Sequence, residues 1–119
     1  MEIAIWIVSG LLALVMLGAG AAKLFVPREK HVAQQPWAGD FSHTQVRLIG
    51  VAEVLAAGGL ILPRLLDIAP ILSPLAAAGI VLLQAGAASV HIRRKETFVP
   101  NLVIIVLAGF VATAGFLGF

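Results

Sequence analysis

The sequence predicts an all-α protein, a bundle of four transmembrane helices, and three observations support this fold class. First, 61% of the 119 residues are hydrophobic and only 12% are charged, whereas soluble domains carry about 25% charged residues. Second, four almost uncharged stretches approach the length of about 20 residues that a helix needs to cross the hydrocarbon core of a membrane. Third, the alternating pattern of strands is absent, and an open sheet edge would leave backbone groups unpaired in lipid.

The four predicted helices belong to one membrane domain, residues 1–119. They span about residues 3–26, 45–63, 70–91 and 98–119. The first helix is uncharged until Lys23, and Pro27 follows its end. The second is the shortest and contains Glu53, and we expect Pro63 to end it because proline interrupts helical hydrogen bonding.

Capping signals indicate where three of the helices begin. Ser42 followed by Gln45 fits a capping box, in which a hydroxyl and an amide satisfy free N–H groups at a helix start. Ser73 before Pro74 predicts a hydroxyl cap ahead of a proline whose missing N–H is harmless in the first turn. We expect Pro100 to play the same part at the start of the fourth helix.

The small residues 18–22 resemble the cleavage region of a signal peptide. Glu2, however, stands where such a peptide carries positive charge, and the apolar stretch is long enough to span a membrane. We therefore expect this stretch to be the first helix of the mature protein.

Composition also narrows the classes of function. The chain has no cysteine, which excludes disulfides, thiolate metal sites and cysteine nucleophiles. The formal net charge is only +2, and the basic residues lie in short connections, so we expect no nucleic-acid partner. His31, His43 and His91 are scattered over two connections, and we expect no metal site. No nucleophile–base pair or phosphate-binding loop is evident, so the sequence contains no catalytic constellation that would indicate an enzyme.

The distribution of basic residues predicts the orientation of an up-down-up-down bundle. Only Arg64 lies on the side of the 2–3 connection and the termini, whereas seven basic residues flank the 1–2 and 3–4 connections: Lys23, Arg28, Lys30, Arg47, Arg93, Arg94 and Lys95. By the positive-inside rule these two connections are cytoplasmic and both termini are external, in a multi-pass protein of the plasma (cytoplasmic) membrane. We expect Trp37, Phe41, Trp6 and Phe119 to act as interfacial anchors.

Glu53 is the most informative residue because it lies near the middle of the second predicted helix, about 10 Å from either end. Inserting an acidic residue there costs about 2.5–3.5 kcal/mol, so we expect it to face the bundle interior. Three interpretations remain open: an ion pair, a proton relay or ligand-binding carboxylate, and a protonated carboxyl bonded to a backbone carbonyl. Lys23 is a better ion-pair candidate than Arg47, which is rotated about 120° from Glu53 on the same helix.

Further polar residues share the depth of this carboxylate. Gln84 and His91 lie two turns apart on one face of the third helix, and Asn101 lies near the start of the fourth. Six polar residues occupy the half of their helices that faces the cytoplasm in the predicted topology: Lys23, Arg47, Glu53, Gln84, His91 and Asn101. This pattern predicts either a site for an amphipathic small molecule or a bundle that opens slightly to water on one side.

Small residues four positions apart predict close packing of helices, since such pairs let two backbones approach in lipid. The pairs are Gly18 with Ala22, Ala85 with Ser89, and Ala108 with Ala112, and Gly58 with Gly59 makes the second helix thin. We therefore expect a tight bundle with little room for a large cavity unless the helices splay. The same small faces favour a homo-oligomer.

Each of the first two predicted helices contains a short motif. The first helix ends with Gly-x-x-Lys-Leu, residues 20–24, and the second contains Gly-x-x-Glu, residues 50–53, followed by Gly58-Gly59-Leu60 and Pro63. With these motifs the chain resembles the DoxX-like family of small four-helix membrane proteins over nearly its whole length. The positions that match the family pattern are Lys23, Gly50 and Glu53.

The resemblance implies an expectation about function. Named members of that family include a subunit of a thiosulfate:quinone oxidoreductase and proteins linked to quinone resistance and oxidative-stress complexes. We therefore expect an accessory or interaction subunit linked to quinone or redox processes, with a buried Lys23–Glu53 pair and no intrinsic cofactor. A bound quinone, or a membrane or peripheral redox protein, would supply any redox chemistry. The alternative is a binder or carrier of a quinone- or sterol-like molecule at the polar cluster.

Overall fold

The computed structural model describes residues 1–118, and these residues form a bundle of helices without strands. The elements are α1 (Glu2–Phe25), α2 (Arg28–Gln34), the short 3-10 helix η1 (Pro36–Asp40), α3 (His43–Leu66), α4 (Leu72–Arg93) and α5 (Val99–Phe116). Four of them, α1, α3, α4 and α5, are long and apolar enough to cross a membrane. The predicted four-helix fold is thus confirmed, while the side of the membrane on which the termini lie stays a prediction. Phe119, an expected anchor, lies outside the described residues.

The four long helices form a ring in which each has two neighbours. The largest contacts join α1 to α3 and α4 to α5, and the ring closes through α3 with α4 and α1 with α5. The outward faces carry large exposed side chains such as Leu14, which is 69% exposed, and Leu55, also 69% exposed. Exposing so much apolar surface to water would be unfavourable, whereas lipid acyl chains can cover it. This surface is typical of a multi-pass membrane protein.

The apolar core fills one half of the bundle along the helix axes. Buried residues from all four long helices, among them Leu12, Leu60, Ile80 and Val111, pack together in the half nearer the termini. The other end carries the two connections, residues 26–42 and 94–98, and we call it the polar end. The short helices α2 and η1 lie within the first of these connections.

Two predicted helix starts are confirmed. The Oγ of Ser42 accepts a hydrogen bond from the backbone N–H of Gln45 at 3.1 Å, and the Oε1 of Gln45 accepts one from the backbone N–H of Ser42 at 2.9 Å. This capping box begins α3. Pro100 lies in the first turn of α5, where its missing N–H leaves no bond unmade.

Two other predictions about helix ends were wrong. Pro63 does not end α3, which continues to Leu66 and stops where Asp67 adopts a left-handed conformation with a φ of 53°. A membrane offers the backbone no other partner than the helix itself, so the helix continues past the proline. Ser73 does not cap α4, because its hydroxyl instead donates to the backbone oxygen of Leu60 at 2.8 Å and ties α4 to α3.

The α1–α3 contact depends on two glycines that face each other. A Cβ added to Gly20 would lie 2.7 Å from the backbone oxygen of Gly50. A Cβ added to Gly50 would lie 3.0 Å from the backbone oxygen of Gly20 and 2.9 Å from the Cβ of Lys23. The two backbones therefore touch beside Lys23, as only glycine permits.

The prediction that the small-residue pairs lie at helix contacts was only partly right. Ala108 and Ala112 are buried in the core, but Gly18 is exposed, as are Ala85 and Ser89. Two positions separate Gly18 from the contacting glycine of α1, and they rotate it about 200° around the helix axis. Gly18 therefore faces away from α3.

Candidate functional site

A cavity of about 600 Å³ lies in the polar half of the bundle. All four long helices line it, and the connection between α1 and α3 contributes Trp37. Its volume falls in the range of small-molecule sites, about 300–1,000 Å³. The expected absence of a large cavity was therefore wrong. Here the small residues of α1 and α4, including Ala19, Gly86 and Ala87, line empty space instead of drawing two backbones together.

The structure brings five of the six predicted polar residues to this cavity. They are Lys23, Glu53, Gln84, His91 and Asn101. Arg47 does not line it: this side chain is on the exposed face of α3, where its Nη1 donates to the backbone oxygen of Leu24 at 3.1 Å. Arg47 thereby satisfies a carbonyl at the C-terminal end of α1, a favourable place for a cation.

Lys23 and Glu53 form an ion pair across the α1–α3 contact. The Nζ of Lys23 lies 2.8 Å from the Oε1 of Glu53, and the two side chains are only 9% and 5% exposed. The ammonium approaches off the line of a well-directed hydrogen bond, so the contact is mainly one of charge. Because both groups have lost water, each depends on the other for compensation.

Two amides connect α4 with α5 at the same depth. The Nδ2 of Asn101 donates to the Oε1 of Gln84 at 2.8 Å. Asn101 is therefore more than a candidate capping residue, since its amide joins two helices at the cavity wall. The pair supplies hydrogen-bonding capacity without net charge.

His91 is held by a carboxylate that sequence reasoning missed. Its Nδ1 lies 3.0 Å from the Oε1 of Glu96, in the connection after α4. The hydrogen bond with His91 lowers the pKa of the Glu96 carboxyl, and the neighbouring charge of Arg94 acts in the same direction. Helical spacing could not reveal this contact, because α4 ends at Arg93 and the chain turns through Lys95, whose φ is 59°.

Trp37 covers the polar end of the cavity. Its ring meets three others edge-on, with centroid distances of 6.1 Å to His31, 6.0 Å to Phe41 and 6.5 Å to His91. The Nζ of Lys23 also lies 5.5 Å from its centroid, within reach of a cation–π interaction. Trp37 and Phe41 both line the cavity, a position that their prediction as interfacial anchors did not include.

Polar contacts hold this cover in place. The Nη1 of Arg94 lies 2.6 Å from the Oδ2 of Asp40, at the end of η1. The hydrogen bond to that carboxylate raises the pKa of the Arg94 guanidinium. The Nη2 of Arg28 donates to the backbone oxygen of Phe41 at 2.8 Å. The two connections of the polar end are thus tied to each other above the cavity.

The histidines do not form a metal site in the part of the chain described. His31 is buried under the first connection, His43 is exposed at the start of α3, and His91 lines the cavity. Within residues 1–118 no group of three His, Cys, Asp or Glu side chains could hold a metal ion.

The cavity also reaches the outer surface of the bundle at membrane depth. Leu82 of α4 and Val15 of α1 both line it and are 74% and 47% exposed. In a membrane, residues so exposed near the middle of these helices face acyl chains. The arrangement thus offers a polar wall at one end and an apolar opening at the other.

Comparison with known protein families identifies a match over most of the chain. The model of the DoxX-like family matches residues 7–116, which is most of the chain. No curated protein and no solved structure matches it.

Proposed function

This chain belongs to the DoxX-like family, and we propose that it binds a lipophilic small molecule with a polar head, such as a quinone- or sterol-like compound. The observation that supports this proposal most directly is the cavity of about 600 Å³ between the four long helices. A tightly filled bundle would have favoured the role of an accessory subunit instead.

The polar wall suits the head of such a molecule. Lys23 and Glu53 provide a buried pair of opposite charge, and Gln84 with Asn101 provides neutral amides on the helices α4 and α5. A ligand head with polar atoms can form hydrogen bonds with these groups, which an apolar ligand cannot do. The nearly balanced charge of the wall favours a neutral head over an ionic one.

The apolar part of the cavity suits the body or tail. Met16 is part of the core, and Val15 and Ile104 line the cavity beside it. A hydrocarbon tail placed along these residues would leave through the lateral opening at Leu82 and continue among the lipids. This fits a carrier or binder that exchanges its ligand with the membrane.

The expected accessory role linked to redox complexes rests on the named members of the family. No contact within residues 1–118 favours it over ligand binding, and a bound quinone would connect the two roles. Partners, a homo-oligomer and the plasma membrane as location remain predictions. The exposed small residues Gly18, Ala85 and Ser89 are available for helix contacts with another copy.

The two tryptophans provide an assay that distinguishes binding from partitioning into lipid. The chain contains two tryptophans: Trp37 lines the cavity, whereas Trp6 lies in α1 near the opposite end. In nanodiscs, the variant Trp6→Phe reports on the cavity and Trp37→Phe reports on the far end. We expect saturable quenching by decylubiquinone, or saturable energy transfer to dehydroergosterol, from Trp37 and only a linear background from Trp6.

A matched pair of substitutions on α4 tests the location. Ala87 lines the cavity, whereas Ala85 is exposed and lies outside it. In the Trp6→Phe background, Ala87→Phe fills the cavity and is expected to raise the dissociation constant at least about tenfold, since about 1.4 kcal/mol of lost contact has that effect. Ala85→Phe is expected to leave it unchanged. If neither probe distinguishes the two variants, the proposed function is wrong.

A further inference from the structure

One ring nitrogen of His91 is unpaired, and the residue lines the cavity. The Nδ1 of His91 contacts Glu96 at 3.0 Å, and the side chain is 21% exposed and lines the cavity. Among residues 1–118 the Nε2 has no hydrogen-bond partner. The Nε2 is therefore the nitrogen of His91 that remains available to a bound molecule.

The contact with Glu96 determines which nitrogen carries the hydrogen in a neutral ring. An ionised carboxylate can only accept hydrogen bonds, and Glu96 also faces the guanidinium of Arg94 at 3.5 Å, which favours ionisation. The hydrogen of a neutral His91 must therefore be on Nδ1. Its Nε2 then holds a lone pair and acts as an acceptor.

Two neighbouring donors of the cavity are already engaged within the protein. The ammonium of Lys23 contacts Glu53 on one side and the face of Trp37 on another. The Nδ2 of Asn101 donates to Gln84. A ligand that only accepts hydrogen bonds would have to compete for these two groups, whereas a ligand with a donor finds Nε2 free.

From this arrangement we infer that the cavity selects molecules whose head carries a hydroxyl group, which donates a hydrogen bond to the Nε2 of His91. Alcohols and phenols, including the sterol and quinol classes, then bind in preference to the matching ethers or ketones. The inference rests on the proposed function and specifies its ligand class. His91 touches the ligand, and Glu96 is a positioning residue that acts through His91.

A pair of probes isolates this hydrogen bond. 4-Nonylphenol and 4-nonylanisole have the same ring and the same chain, but the methyl ether lacks the hydroxyl hydrogen. Their dissociation constants are measured in nanodiscs by the fluorescence of Trp37 in the Trp6→Phe background, as mole fractions in lipid. We expect the phenol to bind about tenfold more tightly, which is the size of one well-formed hydrogen bond.

Two variants show whether His91 causes the preference. His91→Phe keeps a ring of similar shape without an acceptor, and it is expected to weaken the phenol to the affinity of the ether. Glu96→Gln lets an amide donate to Nδ1 or accept from it, so that either nitrogen can carry the hydrogen. We expect this variant to reduce the ratio of the two affinities while the affinity for the ether stays the same. A preference caused by the bulk of the methyl group would survive both substitutions.

The possible outcomes distinguish a failure of the inference from a failure of the proposed function on which it rests. If both probes bind saturably and Ala87→Phe weakens both, but the phenol is not preferred, the inference is wrong and the proposed function stands. Tighter binding of the ether would also overturn the inference. If neither probe binds saturably, both proposals fail.

Discussion

Removing Lys23 is expected to destabilise the protein more than removing the charge of Glu53, although the two side chains form one ion pair. The reason is their different depth. Lys23 lies two residues before the end of α1, and its Cβ is level with Gly50 of α3. Glu53 lies three residues deeper along α3 than Gly50, about 5 Å along the axis. A long lysine side chain can move its ammonium to the nearby helix end, but the carboxylate cannot leave.

The magnitudes follow from this difference. Lys23→Met leaves a buried carboxylate that must stay charged in lipid or take up a proton, and the expected loss of stability is about 3 kcal/mol. Glu53→Gln leaves an ammonium that can reach the polar end and an amide that still forms hydrogen bonds, so about 1 kcal/mol is expected. The double variant has no unpaired charge and should lie closer to the wild type than Lys23→Met does.

The assay is the free energy of unfolding from the folded fraction in mixed micelles as the SDS mole fraction is raised. All four members of the cycle, the wild type, both single variants and the double variant, are compared at one pH and lipid composition. Equal losses for the two single variants would refute the argument from depth. A double variant as unstable as Lys23→Met would show that the carboxylate is not the source of the cost.

Two further predictions concern packing and pH. Gly50→Ala places a methyl group 3.0 Å from the backbone oxygen of Gly20 and should lower the free energy of unfolding by about 1–3 kcal/mol in the same assay. Gly58→Ala is the control, because its Cβ would meet only a side chain at 3.9 Å, and it should be close to neutral. Similar losses for both variants would contradict the glycine contact. The hydrogen bond with His91 lowers the pKa of Glu96 below its ordinary value of 4.5, so the stabilising effect of this bond is complete above about pH 4.5 and is lost as pH falls through the lower folded-state pKa. The melting temperature of the wild type should therefore exceed that of Glu96→Gln at pH 6, and the difference should shrink below pH 4. A difference independent of pH would contradict this cause.

The fold could be predicted from the sequence because its main signals are local. Four long apolar stretches and a capping box beginning at Ser42 indicate helices without knowledge of their neighbours. The error at Ser73 arose where a neighbouring element matters: the serine hydroxyl bonds to α3 instead of its own helix. The short helices of the first connection were missed, since seven and five residues are too few to give a periodic pattern.

The candidate site was predictable in part. Glu53 and Lys23 stood out because a charge at membrane depth needs compensation, and helical rotation correctly separated Arg47 from them. Trp37 and Glu96 could not be assigned to the site. Both lie in connections, and their positions depend on how these connections fold back over the bundle, held by contacts between residues far apart in the sequence.

The sequence by itself determined that this chain is a bundle of four membrane helices with polar side chains concentrated toward one end, because hydropathy and charge act on each helix separately. Only the tertiary structure decided that the backbones meet at Gly20 and Gly50 and that the small residues of α4 border a cavity. These features depend on the rotation of each helix about its axis and on the path of the connections. Both are set by the packing of all four helices at once, a balance that no single segment contains.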